Sequence, residues 1–297
     1  MSTVRTAELT LSSRAGAYVA LTKPDVSFLV LMTTAAGYYM GVRGPVNWLH
    51  MLHTVFGTML IAAGTAALNH YIERDSDRYM RRTASRPLPS GIMQPREALL
   101  FGLALSLAGA VDLYFSAGLL ASGLGVATSL SSLLAYTPLK RKTVWATFVG
   151  AFPGAIPPMI GWVAATGSLD RGAWLLFAIL FLWQFPHFHA IAWMYREDYA
   201  RAGILMLPVV DPQGTRTFRQ IILYAVALVG VSLLPAMMGL AGILYFFGAL
   251  VTSTALVQVC LWAASNRTNA RAKWLMHATV LHIPVLLGLM VVDKIPR

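Results

Sequence analysis

The sequence predicts an all-α integral membrane protein, a bundle of nine transmembrane helices with a cytoplasmic amino terminus, and three observations predict it. The 297-residue chain is 57% hydrophobic and only 12% charged, with mean hydropathy +0.63, too apolar for a chain surrounded by water. Nine apolar segments have the length that a helix needs to cross a bilayer, roughly 17 to 25 residues. The basic residues fall almost entirely on one side of the topology that those segments generate.

In chain order the segments are 26–42, 51–71, 98–115, 119–136, 144–165, 174–195, 220–236, 242–264 and 274–292. The first two carry no Asp, Glu, Lys or Arg, and the third carries only Asp112. The third and fourth are parted by a few residues around Gly118, and the seventh and eighth only by a turn near Pro235 and Gly239. Each is expected to be helical, because in lipid only helices and closed barrels satisfy their own backbone hydrogen bonds. One domain therefore covers residues 1–297, with a short cytoplasmic arm at 1–24 and two long inner connections at 72–97 and 196–219.

With the amino terminus inside, only Arg43, Arg171, Lys294 and Arg297 of the 23 basic residues fall outside. The formal charge of +11 is then topology plus attraction to anionic lipid, and no nucleic acid partner is needed to explain it. The first 25 residues lack the apolar core of a cleaved signal peptide and read as a mature cytoplasmic start. The single cysteine, Cys260, excludes an intramolecular disulfide.

The long inner connections carry acids as well as bases, which places function on the inner face. At the end of the second apolar run stands NHYIERDSDRYMRRTASRP, residues 69–87. If the helix continues through Asp77, then Asn69, Glu73 and Asp77 share one stripe, drifting by about 40° per step, while Asp75 falls on the other side. An amide and two carboxylates over two turns offer hard oxygen ligands of the kind Mg²⁺ takes with substrate phosphates. Arg78, Arg81, Arg82 and Arg86 could neutralise phosphate oxygens. The competing reading is a solvated helix end laced with ion pairs. A second acidic pair, Glu197 and Asp198, falls at the same expected membrane depth after the sixth span. With Lys140 and Arg141 on the loop between, the two clusters look like a two-metal clamp on one diphosphate, with the metals as Lewis acids.

These residues resemble the UbiA-type intramembrane prenyltransferases through NxxxExxxD at 69–77, YTPLKRKT at 136–143 and YREDYARAG at 195–203. Within that family, LTKPDV, RDSDRYMRRTASRPLPSG, GAFPGAIPPMIGW, WQFPHFHAIAW, AGILMLPVV and SNRTNAR are similar to the branch that farnesylates protohaem IX. The resemblance spans most of the chain, and the RT…RP and WQxPHF elements are more specific than NxxxExxxD. It implies a nine-helix bundle around a central cavity in a bacterial inner membrane, with Mg²⁺ required to bind a diphosphate under the cytoplasmic loops. It also implies the substrates farnesyl diphosphate and haem B and the products haem O and diphosphate, water being added at the haem vinyl group. Carried over by position, Asn69, Glu73 and Asp77 match the first acidic motif, Glu197 and Asp198 the second, and Tyr136 and Lys140 the YxxxK element. His70 and Tyr195 stand where the wider family often has Asp, which leaves the second metal with fewer ligands.

A haem acceptor needs a place for its iron, and His187 is the candidate. On a continuous helix His187 and Asp198 differ by about 20° of rotation and roughly 16 Å of rise, so iron at His187 would hold a vinyl group near a shallower diphosphate. His189, about 200° away, faces elsewhere. The alternative is that His187 bonds a carbonyl freed by Pro186. A contact with haem A synthase is expected on functional grounds, since haem O is reactive and apolar. Two other functions compete: prenylation of a quinone precursor or chlorophyll-like acceptor, and ion transport. Against transport, the acids cluster at inner helix ends rather than at the midplane.

Overall fold

The computed structural model describes residues 11–296. Its helices are α1 (Leu11–Leu21), α2 (Pro24–Gly41), α3 (Trp48–Asp77), α4 (Pro95–Leu130), α5 (Thr137–Leu139), α6 (Ala146–Ala155), α7 (Pro157–Thr166), α8 (Arg171–Met194), α9 (Arg196–Arg201), α10 (Leu207–Val210), α11 (Thr215–Met237), α12 (Ile243–Ser265) and α13 (Asn269–Val292). A π-helical stretch, Ser131–Tyr136, joins α4 to α5. Among the described residues, seven helices are long and apolar enough to cross a membrane, or eight if α1 and α2, bent by 46°, form one crossing.

The helix starts follow local chemistry. Asn47 accepts from the His50 backbone N–H at 3.1 Å, and Asp170 accepts from Gly172 N–H at 2.9 Å. Each satisfies a donor that the first helical turn leaves free. Gln94 and Glu97 form a reciprocal capping box, with proline at the first position of α4.

The apolar run of α4 is not one straight rod. Gly118 has φ 85° and ψ 175°, a region open to glycine almost alone. The chain folds back there, since Ser122 Oγ donates to the Ala110 carbonyl at 2.8 Å, whereas twelve residues of straight helix would span about 18 Å. Nothing lies within 4 Å of a Cβ built at Gly118, so Gly118→Ala costs backbone strain alone. The expected loss is about 1–3 kcal/mol, read as a lower Tm of the detergent-solubilised protein.

Small residues let α3 lie close against the first half of α4. A Cβ at Gly64 would come within 2.6 Å of the Gly102 carbonyl oxygen, and one at Gly109 within 2.5 Å of that of Gly57, the close approach typical of helices packed in lipid. The largest buried cluster surrounds α8, whose Leu176, Ile179, Leu180 and Trp183 pack with Ile221 and Leu228 of α11 and with Leu275 and Ile283 of α13. Residues of α2, α3, α4 and α8 line the site that lies between these helices.

Two local outcomes matter for chemistry. Helix α3 runs past the apolar segment to Asp77, so the helical extension expected from 69–77 is present. Helix α8 stops at Met194, and Tyr195 leaves it with φ −109° and ψ 20°. The single stripe from His187 to Asp198 therefore does not exist, because the helix phase is reset at Tyr195.

Candidate active site

A cavity of about 420 Å³ lies among α2, α3, the second half of α4, the π-helical stretch, α6, α7, α8 and α9. Val30, Ile61, Ala62, Ile160 and Phe188 line its apolar part. Asn69, Glu73, Asp77, Arg86, Tyr136 and Lys140 line its polar part. The π-helical register places Ser132 and Tyr136 on this wall, and such local widening of a helix is frequent at functional sites.

The α3 stripe is held by cations from three other segments. Lys23 Nζ donates to Asn69 Oδ1 at 2.9 Å, Lys140 Nζ to Glu73 Oε1 at 2.7 Å, and Arg86 to Asp77 Oδ2 at 2.7 Å. The Glu73 and Lys140 side chains are each 13% exposed, and that of Asp77 is 1% exposed. Pairs this deep persist because removing one partner would strand a buried charge. Lys140 Nζ also stands 4.3 Å from the centre of the Tyr136 ring. Burial works against its charge, but Tyr136 and Glu73 outweigh burial and hold its pKa above the usual lysine range. Among the described residues Lys23 has no acid within hydrogen-bonding distance and is held by the Asn69 amide oxygen instead. Tyr199, on the same wall, has its hydroxyl pKa raised, chiefly by burial.

Among the described residues no three His, Cys, Asp or Glu side chains converge as a ready-made metal cluster. The donors still suit a hard cation. Asp77 Oδ1 is buried without a partner, and Asn69, Glu73 and Asp77 all line the one cavity, giving amide and carboxylate oxygens of the type that Mg²⁺ takes.

The second acidic pair is not brought into that cavity. Glu197 and Asp198 line a separate pocket with Arg81, Met194 and Tyr195, and Arg82 lines both. Asp198 accepts from the Arg82 backbone N–H at 3.3 Å and pairs with Arg201, while Glu197 is exposed. The turn at Tyr195 is the physical reason, since it swings α9 off the α8 axis. The Arg82 guanidinium lies 4.9 Å from the centre of the Tyr195 ring. Arg78 and Arg141 are exposed and line neither pocket.

Helix α8 turns Gln184, Phe188 and Ile191 to the cavity. His187 is offset from that face: its ring stacks on Trp183 at 5.0 Å, and its Nδ1 is 2.9 Å from Thr279 Oγ1 on α13. The partner is thus a neighbouring helix rather than a carbonyl freed by Pro186. His189 points away, to Gln220 on α11 at 2.8 Å. Lys23, Gln184 and Tyr199 are cavity residues that sequence reasoning did not select. Lys23, Gln184 and Tyr199 lie inside the quoted stretches LTKPDV, WQFPHFHAIAW and YREDYARAG, which is the only signal the sequence offers for them.

The model of the UbiA prenyltransferase family matches residues 30–281. A protein named protoheme IX farnesyltransferase from Solibacter usitatus (strain Ellin6076) is 52% identical over 286 residues, covering 93% of this chain and 98% of the relative. Among solved structures, one described as digeranylgeranylglyceryl phosphate synthase matches with TM-score 0.77 and 19% identity, covering 94% of this chain and 98% of its own. A UbiA homolog from Archaeoglobus fulgidus bound to DMAPP and Mg²⁺ matches with TM-score 0.61 and 17% identity, over 92% of this chain and 98% of its own.

Proposed function

Because the chain belongs to the UbiA prenyltransferase family, we propose that its cavity transfers the farnesyl group of farnesyl diphosphate to a vinyl group of haem B, giving haem O and diphosphate. The chain is a multi-pass membrane prenyltransferase, and its relatives favour the haem acceptor over a quinone or chlorophyll-like one. The observation that carries the reading is the junction of Asn69, Glu73 and Asp77 with three cations at the polar end of an otherwise apolar cavity. A prenyl diphosphate has that same division between charged head and hydrocarbon tail.

Asn69, Glu73 and Asp77 would hold Mg²⁺, which supplies charge stabilisation for the leaving diphosphate. Lys140, Arg86 and Arg82 pair with phosphate oxygens, and the Tyr136 ring stands beside the carbon that loses them. Glu197 and Asp198 act from beyond Arg82, on the loop whose backbone Asp198 holds. Exposed Arg78 and Arg141 contribute to the approach of the anion. The fold-back at Gly118 supports nine crossings, counting α1 with α2 and α6 with α7. The distribution of basic residues supports a cytoplasmic amino terminus and a cytoplasmic-side site, and the source of the relative from Solibacter usitatus supports a bacterial inner membrane. Haem A synthase is the partner that would take the product.

His187 is proposed to bind the haem iron. Thr279 Oγ1 donates to the Met276 carbonyl at 2.6 Å, so it accepts from His187 Nδ1–H. That bond leaves the Nε2 lone pair for iron, the orientation that metal-binding histidines take from such a partner. His187→Ala is expected to alter the Soret spectrum of bound haem and to cut prenylation about 10²-fold through misplacement of the porphyrin. An unchanged spectrum with near-normal turnover would leave His187 as a helix-packing residue. The function as a whole is tested by incubating the purified protein with haem B, farnesyl diphosphate and Mg²⁺ and examining the porphyrin by mass spectrometry. Haem O is expected, and recovery of unmodified haem B would overturn the reading.

A further inference from the structure

Gln184 is a buried amide, 2% exposed, whose two ends do different things. Its Nε2 donates to the Leu180 carbonyl at 3.0 Å and to the Ala151 carbonyl at 3.0 Å, which uses both amide hydrogens. Its Oε1 receives no donor from the described residues, and the side chain lines the cavity. A Cβ at Gly154 would stand 2.0 Å from Oε1, so the oxygen occupies the room which that glycine leaves on the cavity wall. The amide is locked at one end and presents a bare acceptor at the other. An acceptor that opens onto a cavity takes its hydrogen bond from whatever donor the cavity holds.

Its position relative to the charged end follows from α6. A Cβ at Gly150 would stand 2.5 Å from the Tyr136 ring, and Gly150 and Gly154 lie one turn apart, about 6 Å. The Tyr136 ring is in turn beside Lys140, which holds Glu73. Gln184 Oε1 is therefore about one helical turn from the ring beside the ion pair, at the level of the first carbons of a prenyl diphosphate anchored on that pair.

The reactants decide what can donate to it. A farnesyl chain carries no hydrogen-bond donor. Haem B with ionised propionates carries none either, and its ring nitrogens are occupied by iron. Water donates. We propose that Gln184 Oε1 holds the water molecule that ends the reaction. This rests on the haem-farnesylating reading above and adds the residue that decides the fate of its cation.

The step balances as follows. The C1–O bond of farnesyl diphosphate breaks, and the electron pair leaves with the diphosphate. The terminal vinyl carbon of haem B gives its π electrons to C1, and the cation moves to the adjacent carbon next to the porphyrin ring. The water on Gln184, its hydrogen directed to Oε1, adds its lone pair to that carbon and loses a proton to the departing diphosphate. Without a held water, the same cation loses a proton from a neighbouring carbon and gives an alkene, a product lighter by one water.

The test compares Gln184→Met and Gln184→Glu with the native full-length protein, supplied with haem B, farnesyl diphosphate and Mg²⁺. The readout is the ratio of hydroxylated to dehydrated farnesyl porphyrin by mass spectrometry, independent of how much active protein each preparation contains. Methionine keeps the volume and loses the acceptor, so the ratio is expected to fall about tenfold, as for one lost hydrogen bond. Glutamic acid, protonated in this setting, still donates to one carbonyl and keeps a C=O on the cavity, so the ratio is expected within about threefold of native. An unchanged ratio in the methionine variant, or an equal fall in both variants, overturns the proposal. If the native protein makes no farnesylated porphyrin at all, the haem-farnesylating reading itself fails, a separate result from a shifted ratio.

Discussion

Glu73→Gln and Asp77→Asn are each expected to lower kcat about 10²–10³-fold, the loss typical of removing one preorganised charged group from a transition state. Both changes keep shape and remove charge. Glu73 bonds Lys140 and Asp77 bonds Arg86, and both acids line the cavity that Asn69 also lines. Each variant should require more Mg²⁺ for half-maximal rate, because one anionic oxygen donor is lost from the set. That second measurement separates a ligand from a helix-end ion pair, which would leave the Mg²⁺ requirement where it was. Asp75 is the internal control. Its side chain is 72% exposed and 4.0 Å from Arg74, so Asp75→Asn should hold kcat within about twofold, as exposed pairs contribute little. Membrane fractions should contain comparable amounts of all three variants. Equal losses at all three positions would mean that the shared stripe has no bearing on chemistry.

The stripe was legible in the sequence because it depends on one helix and its own period. Asn69, Glu73 and Asp77 needed only that α3 continue past its apolar run, and two turns of regular spacing carried the rest. The apolar segments were legible for the same reason, being local averages of side-chain hydropathy. The split between 98–115 and 119–136 appears as the glycine break that reverses the chain at Gly118.

What stayed hidden was set by contacts between distant segments. Lys23 reaches Asn69 across 46 residues and Lys140 reaches Glu73 across 67, and no periodicity encodes such meetings. The second acidic pair shows a different obstacle. A helix continued through Tyr195 would put Asp198 beneath His187, but one residue with non-helical angles resets the phase and sends Glu197 and Asp198 to their own pocket. Residue type alone marked Gln184 as one polar side chain in an aromatic run, and only the two carbonyls that hold its nitrogen reveal which of its atoms is left to face the cavity.

Lys140→Met is expected to raise KM for farnesyl diphosphate about 10–100-fold while KM for haem B stays within about threefold, since a hydrogen bond to a charged group is worth roughly 1.5–3 kcal/mol. Its pKa, held above the ordinary value despite burial, keeps the ammonium charged across the working range. Arg141, the next residue, is exposed and outside the cavity, so Arg141→Ala should change either KM by no more than about threefold. A basic loop acting only through its total charge would instead make the two substitutions equivalent. The ion pair with Glu73 admits another account, in which Lys140 merely neutralises that carboxylate. A double-mutant cycle separates the two. If neutralisation is the whole role, Glu73→Gln with Lys140→Met should bind farnesyl diphosphate as well as Glu73→Gln alone, because the charge requiring a partner is gone. If Lys140 pairs with phosphate oxygens, the double variant should lose a further 10-fold or so in affinity, and an unchanged haem KM would place that loss on the diphosphate and not on the propionates.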